Sequence, residues 1–327
     1  MSESKGVVIA ALIANGIIAA LKFVAFLLTG SAAMLSEAYH SVSDTGNQVF
    51  LLVGIWFGKK EADRSHPFGH GKAQFFYSFL VSVLLFGIAG FMSVREGYHA
   101  ITAGEAHLTA GTANIPFVGV SVPGVWVSYA VLLGAIGFEG WAWMKAHSEI
   151  RRVTREHDWD GLVETFKKTS EVTTLTAFTE DSVALAGLVV ALAGLLATQF
   201  TGNPIYDGIA ALLIGLLLMG FAVALAWENK RLLLGESLPA ESERELKRVV
   251  NDWDGVGNLR DLRTVFFGQD RVVVTADVSV DEEMTAEEMD EEIARLEEKL
   301  RETNEKVAEV YVEPQTRGPT RDWPELG

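Results

Sequence analysis

The sequence predicts an all-α transmembrane domain of six helices joined to a small cytoplasmic α/β domain, and three observations predict it. Apolar residues make up 49% of the 327, yet the mean hydropathy is only +0.22, too low for a chain that lies wholly in lipid. The apolar runs are confined to the stretch from Val7 to about Ala226, and from Gly235 onward the composition is that of a soluble domain. Six of those runs reach the roughly 20 residues that a helix needs to cross a hydrocarbon core of about 30 Å.

The runs lie at about 7–28, 34–57, 75–98, 125–146, 172–199 and 205–227. Only Thr29, Gly30 and Ser31 join the first two, and Thr201, Gly202, Asn203 and Pro204 join the last two. Both pairs are therefore expected to be antiparallel hairpins. One set of loops carries Lys59, Lys60, Arg64 and Lys72, then Arg151, Arg152, Arg155, Lys167 and Lys168, whereas the opposite set (29–33, 99–124 and 201–204) has no Lys or Arg. The basic side faces the cytoplasm, so both termini are expected there. The far-side loop, about 99–124, is rich in Gly, Ala and Val with Pro116 and Pro123; dipping toward the membrane and mobility both fit it. The charged stretch 147–170 is expected to be partly helical. No cleavable signal or transit peptide is expected, because the first apolar run is too long for a signal core.

The tail opens at Ser237-Leu238-Pro239. A helix is expected over 241–252, with Leu246, Val249 and Val250 on one face. Strands at 260–267 and 271–281 flank the turn Gly268-Gln269-Asp270. Thr285-Ala-Glu-Glu has a capping-box pattern opening a helix that runs to about Thr303. Val307–Val312 is the last strand, stopped by Pro314. The order αββαβ predicts a compact sheet with helices on one face. The domain division is 1–232, 233–316 and a tail at 317–327. The soluble part has no His, Cys or Gly-rich loop, so dimerisation or regulation is its expected role.

Charge and cysteine content exclude several functions. The net charge is −16, and residues 236–313 hold 23 Asp/Glu against 10 Lys/Arg. Nucleic acid, which demands a positive surface, is not an expected partner. With no cysteine, disulfides and thiolate metal sites are excluded. A metal must be held by imidazole and carboxylate.

Ionisable side chains inside a bilayer are costly and mark functional sites. The second run contains Glu37, His40 and Asp44, whose steps of three and four place them on one helical face. A neutral imidazole and a carboxylate four residues apart can bite one ion; the alternative is a hydrogen-bond network that only fixes packing. The fifth run supplies Glu180 and Asp181. Adjacent residues sit about 100° apart on a helix, so Asp181 is the expected direct ligand and Glu180 an outer or proton-linked group. Lesser features have plainer expectations. Asn15 and Lys22 read as packing and snorkelling groups, Asn47 as a residue lining the path, and Glu139 as a helix-pairing group. Asp207 reads as the cap of the sixth helix, and His99, His107, His147 and His157 as solvated.

The segment Ser36-Glu-Ala-Tyr-His-Ser-Val-Ser-Asp44, the loop Asp63-Arg-Ser-His-Pro-Phe-Gly-His-Gly-Lys72 and Tyr206-Asp-Gly208 resemble the cation diffusion facilitator family over nearly the whole chain. The resemblance implies a homodimeric metal–proton antiporter exporting Zn²⁺, or in some branches Mn²⁺, Fe²⁺ or Co²⁺, with a metallochaperone-like soluble domain and no prosthetic group. It implies a transport site at His40, Asp44 and Asp181. The family's fourth ligand, commonly His, falls on Ala177, a departure shared with the branch that includes a mitochondrial zinc transporter. It also implies a loop metal site at Asp63, His66 and His70, against which stands the reading that these residues form a hydrogen-bonded loop docked on the tail. The family's third site lacks its His here, with Glu313 near one ligand position. A multi-pass protein of the bacterial inner membrane is the expected setting. An enzyme is not expected, since no His-Glu-x-x-His string occurs; a metal channel or sensor without proton coupling is the remaining rival.

Overall fold

A computed structural model describes residues 2–103, 112–115, 120–156, 172–254, 258–280 and 283–315. Long helices dominate its first two-thirds: α1 (Ser2–Thr29), α2 (Ala32–Gly58), α3 (Ala73–Val81), α4 (Ile88–Ala103), α5 (Gly124–Glu156), α6 (Val172–Thr201) and α7 (Ile205–Leu234). A π-helical turn, Ser82–Gly87, joins α3 to α4, making one continuous third span. The far-side loop contains a short antiparallel hairpin, β1 (Thr112–Ile115) with β2 (Val120–Pro123). His107, His157, Lys167, Lys168 and the tail 317–327 lie outside the described residues.

Two units form. The first comprises residues 1–53, 77–167 and 171–228; the second comprises 54–76, 168–170 and 229–327. Among the described residues, five helical stretches are long and apolar enough to cross a membrane: Leu12–Thr29, Ala73–Thr102, Gly124–Arg152, Phe178–Thr201 and Ile205–Leu234. The remaining long helix, α2, has 27 residues, about 40 Å at 1.5 Å per residue. Its lower hydropathy comes from a polar stripe. Ser36, Glu37, His40, Ser41 and Ser43 are buried, whereas Val42 on the opposite face is 57% exposed. Polar groups thus face the bundle interior and apolar ones face outward, the arrangement lipid imposes.

The tight hairpins follow from their glycines. Gly30 and Gly202 adopt φ of +65° and +66°, and their amides cap the preceding helices through Phe26 O and Thr198 O, the left-handed C-cap that glycine adopts without strain. Ser31 then caps α2, its Oγ accepting from the Met34 amide at 3.1 Å. Glycines also bring α4 and α7 backbone to backbone. A Cβ at Gly97 would lie 2.5 Å from the Leu212 amide nitrogen, and one at Gly215 would lie 2.6 Å from that of Val94. Small residues allow such close approach where no hydrophobic drive exists between helices. Phe86, Met34, Leu132, Leu188, Ile214 and Leu218 fill the interior of this unit.

In the second unit, α8 (Ala240–Asn251) precedes β3 (Leu259–Gly268) and β4 (Arg271–Ser279), then come α9 (Ala286–Thr303) and β5 (Val307–Gln315). The sheet order is β3-β4-β5, antiparallel then parallel. Alternate residues Val272, Val274, Ala276 and Val278 of the central strand are buried with Leu246 and Val250 of α8 and Leu296 and Leu300 of α9, so both helices cover one face. Thr285 forms the expected capping box with Glu288. Pro314 does not stop β5, which continues to Gln315. As an edge strand it pairs only with β4, and Pro314 stands opposite Val278 in that ladder. A residue without an N–H is tolerated at such an edge.

Candidate functional site

His40 and Asp44 are presented by the polar stripe of α2. His40 Nε2 lies 3.5 Å from Asp44 Oδ1, with the imidazole 3% exposed and the carboxylate 14%. That distance allows an ion pair but fixes no hydrogen bond, and Asp44 Oδ1 is buried without a partner. The imidazole stands edge-on to Phe86 of the π turn, ring centres 6.4 Å apart. Ser43, on the same stripe, donates to the Leu85 carbonyl at 3.2 Å, so α2 satisfies a backbone acceptor in the π turn. Such turns recur at functional sites, and no residue pattern in the sequence announces this one.

The antiparallel helix α6 closes the site's second wall. A Cβ at Gly187 would lie 2.7 Å from Glu37 Oε1 and 3.7 Å from His40 Nδ1, so the absence of a side chain there lets α6 approach the polar stripe. Two turns nearer the basic loops, Asn47 of α2 donates to Glu180 Oε1 at 3.3 Å. Of the two adjacent acids, Glu180 is thus the one tied to α2. Asp181 interacts electrostatically with Glu139 of α5. Asp44 interacts with Glu180, Glu139, Lys22 and Glu37. His40, Asp44 and the α6 acids share one interior region, but their ligand atoms do not converge within 4.8 Å of one another. The side chain of Ala177 lies outside the described residues.

Three expectations need correction. Lys22 does not snorkel: it is 3% exposed, and its Nζ donates to Glu37 Oε2 at 2.7 Å. The signal was present in the hairpin. Lys22 lies eight residues before Gly30 and Glu37 seven after it, so an antiparallel pair sets them at one depth. Asp207 caps α2 rather than its own helix, accepting from Ser31 Oγ and the Ala32 amide at 2.6 Å each and from the Ala33 amide at 3.4 Å. Asn47 donates to Glu180, and Glu139 interacts with Lys22, Asp181 and Glu37. His99 is exposed. His147 instead stacks on Trp143 at 5.0 Å and 6°, and its Nδ1 is buried without a partner.

A second cluster forms in the loop between α2 and α3. Pro67 forbids a helix there, and a compact turn results, with Asp63 and His66 exchanging backbone hydrogen bonds at 3.1 Å. His66 Nδ1 lies 3.4 Å from Asp63 Oδ1, and His70 Nε2 lies 3.6 Å from Asp63 Oδ2. The two imidazole centres are 4.1 Å apart. Among the described residues this is the only set of three His, Asp or Glu whose ligand atoms all lie within 4.8 Å. The backbone amide of His66, then that of Ser65, donates to Asp63 and holds its carboxyl below the usual range. The loop also docks on the sheet of its own unit. Phe68 packs against Phe267 at 4.8 Å, and Lys72 Nζ lies 4.7 Å over the Phe267 ring. Docking and the ligand cluster coexist.

The profile described as "Cation efflux transmembrane domain" matches residues 8–234, and "Cation efflux protein, cytoplasmic domain" matches 238–315. The chain belongs to the cation efflux family. It is similar to the proton-coupled zinc antiporter SLC30A9 of mitochondria from Homo sapiens, 29% identical over 84% of this chain and 46% of the relative. Metal tolerance protein C4 of Arabidopsis thaliana is 25% identical over 87% of this chain and 59% of its own length. The cation-efflux pump FieF of Escherichia coli is 26% identical over 77% and 73% respectively. This chain spans about half the length of the animal relatives it matches. Membership in this family makes the helical stretch 8–234 a cation efflux transmembrane domain and 238–315 the family's cytoplasmic domain.

Proposed function

We propose that the chain exports a divalent cation from the cytosol in exchange for protons, with zinc as the preferred cargo. One observation carries the reading: the His40–Asp44 pair, its imidazole 3% exposed, shares the interior of the bundle with the acids of α6. Asp44 and Glu139 interact there with the ammonium of Lys22, which also pairs with Glu37, while Glu180 and Asp181 interact with these acids and with each other. In low dielectric such an excess of negative charge requires bound cations. Protons and metal compete for that role, and metal binding to imidazole and carboxylate releases protons. A site that opens alternately to each side then couples the two fluxes. Nitrogen and oxygen ligands suit zinc, and they also accommodate Mn²⁺, Fe²⁺ and Co²⁺. The name of the human relative favours zinc.

His40 and Asp44 are proposed as direct ligands, with a carboxylate from Glu180 or Asp181 completing the set. The Asp63–His66–His70 cluster is proposed as a second metal site. The soluble unit is proposed to hold a homodimer together. The setting proposed is a bacterial inner membrane with the basic loops and both termini in the cytoplasm. The proposed division of the chain remains 1–232, 233–316 and 317–327.

The test is uptake of Zn²⁺, Mn²⁺, Fe²⁺ and Co²⁺ into proteoliposomes with and without an imposed pH gradient. Zinc flux should rise with the gradient and collapse in His40→Ala. Flux indifferent to the gradient would leave a channel, and normal zinc flux in His40→Ala would remove the site.

A further inference from the structure

Lys22 is the only fully buried Lys or Arg among the described residues. Its side chain is 4% exposed and that of Glu37 0%. A lysine buried within a span is costly to insert, so α1 carries it at a penalty that packing alone does not explain. The pair also leaves one valence unused: Glu37 Oε1 is buried without a hydrogen-bond partner. That oxygen faces Gly187, the same bare backbone patch that His40 Nδ1 approaches. Glu37 therefore stands one turn from His40 with a free oxygen directed along the wall they share. Lys22 reaches past Glu37 as well, interacting electrostatically with His40, Asp44 and Glu139.

A fixed positive charge next to a divalent cation site does two things. It repels the cargo, and it occupies a carboxylate that would otherwise join the coordination sphere. A transporter must release what it binds, so a site with every carboxylate free would hold metal too tightly to turn over. We propose that Lys22 is a positioning residue for metal release: its ammonium holds Glu37 out of the coordination sphere of an ion at His40–Asp44 and weakens the site enough to empty.

This rests on the antiport reading, and the experiment separates the two. Zinc uptake is measured in proteoliposomes under a fixed pH gradient for wild type, Lys22→Met, Glu37→Gln and the reciprocal swap Lys22→Glu/Glu37→Lys. In Lys22→Met the freed carboxylate should lower KM about tenfold, the order expected of one charge within reach in low dielectric, and should lower kcat with it because release slows. Glu37→Gln leaves the ammonium uncompensated and should raise KM by a similar factor. The swap keeps the ion pair between α1 and α2 but moves the cation onto α2, one turn from His40, and should raise KM at least as much. It also keeps the test decisive if Lys22→Met fails to fold, since a pair that only joins two helices predicts wild-type KM for the swap. Absence of gradient-driven zinc uptake in wild type would sink the antiport reading itself. With wild-type uptake present, a swap KM within twofold of wild type overturns the role of Lys22. So do single variants that shift KM in the same direction.

Discussion

Asp207, in the first turn of α7, accepts hydrogen bonds from Ser31 Oγ and the Ala32 amide at 2.6 Å each, so the sixth span caps the second. The carboxylate neutralises the positive end of α2 and locks the helix that bears His40 and Asp44 to a neighbour distant in sequence. Removing it costs a cap, about 0.5–2 kcal/mol, and orphans the buried Ser31 hydroxyl, about 1–3 kcal/mol. Asp207→Ala should lower the thermal transition of the purified protein clearly, and Ser31→Ala should lower it less. An unchanged transition in Asp207→Ala would show that the contact contributes nothing.

The α4–α7 contact predicts a sharp contrast between glycines. At Gly97 an added methyl meets the Leu212 amide nitrogen at 2.5 Å and the Gly208 carbonyl at 2.6 Å. Backbone atoms cannot rotate away, so the helices must separate. Gly97→Ala should cost about 1–3 kcal/mol, as overpacking does, and reduce the monodisperse fraction in size-exclusion chromatography. Gly134→Ala meets nothing within 4 Å and should behave as wild type. Equal behaviour of the two variants would remove the close-packing argument.

What was legible in the sequence had local causes. The i,i+4 spacing of His40 and Asp44, the Gly30 and Gly202 hairpins, the capping box at Thr285 and the turn forced by Pro67 each depend on a few neighbouring residues. What was hidden depends on helix rotation. The stretch Phe178–Thr201 of α6 is apolar nearly all round, so no hydrophobic face tells whether Glu180 or Asp181 looks inward. The same blindness affects α7, where Asp207 reads as a cap for its own helix. Lys22 was misread because snorkelling is the usual fate of lysine in a span, whereas its depth matched that of Glu37.

The loop turn should resist mild acid. Asp63 has its pKa depressed by the His66 and Ser65 amides, so its contribution to the turn is present above the unfolded carboxylate value of about 3.9 and is lost as pH falls through the lower folded value. Between pH 7 and 5 the carboxylate stays ionised and the turn should hold. Hydrogen exchange of the His66 and Ser65 amides, corrected for intrinsic rate, should stay slow at pH 5 and accelerate only below about pH 4. Early loss of protection near pH 6 would assign the turn's stability to another group.

The two proposed metal sites should be separable by counting. Ligand atoms of Asp63, His66 and His70 already lie within 4.8 Å of one another, so little rearrangement precedes binding there. The ligands around His40 and Asp44 do not converge as closely and need cargo to draw them together. Calorimetric titration with zinc should therefore give two events per chain. His70→Ala should delete one event and leave gradient-driven flux through His40 and Asp44 measurable, since the loop lies outside the membrane spans. His40→Ala should delete the other event together with the flux. A single event in wild type, abolished by His40→Ala and untouched by His70→Ala, would leave the loop cluster as a docking turn alone, held to its sheet by Phe68 against Phe267.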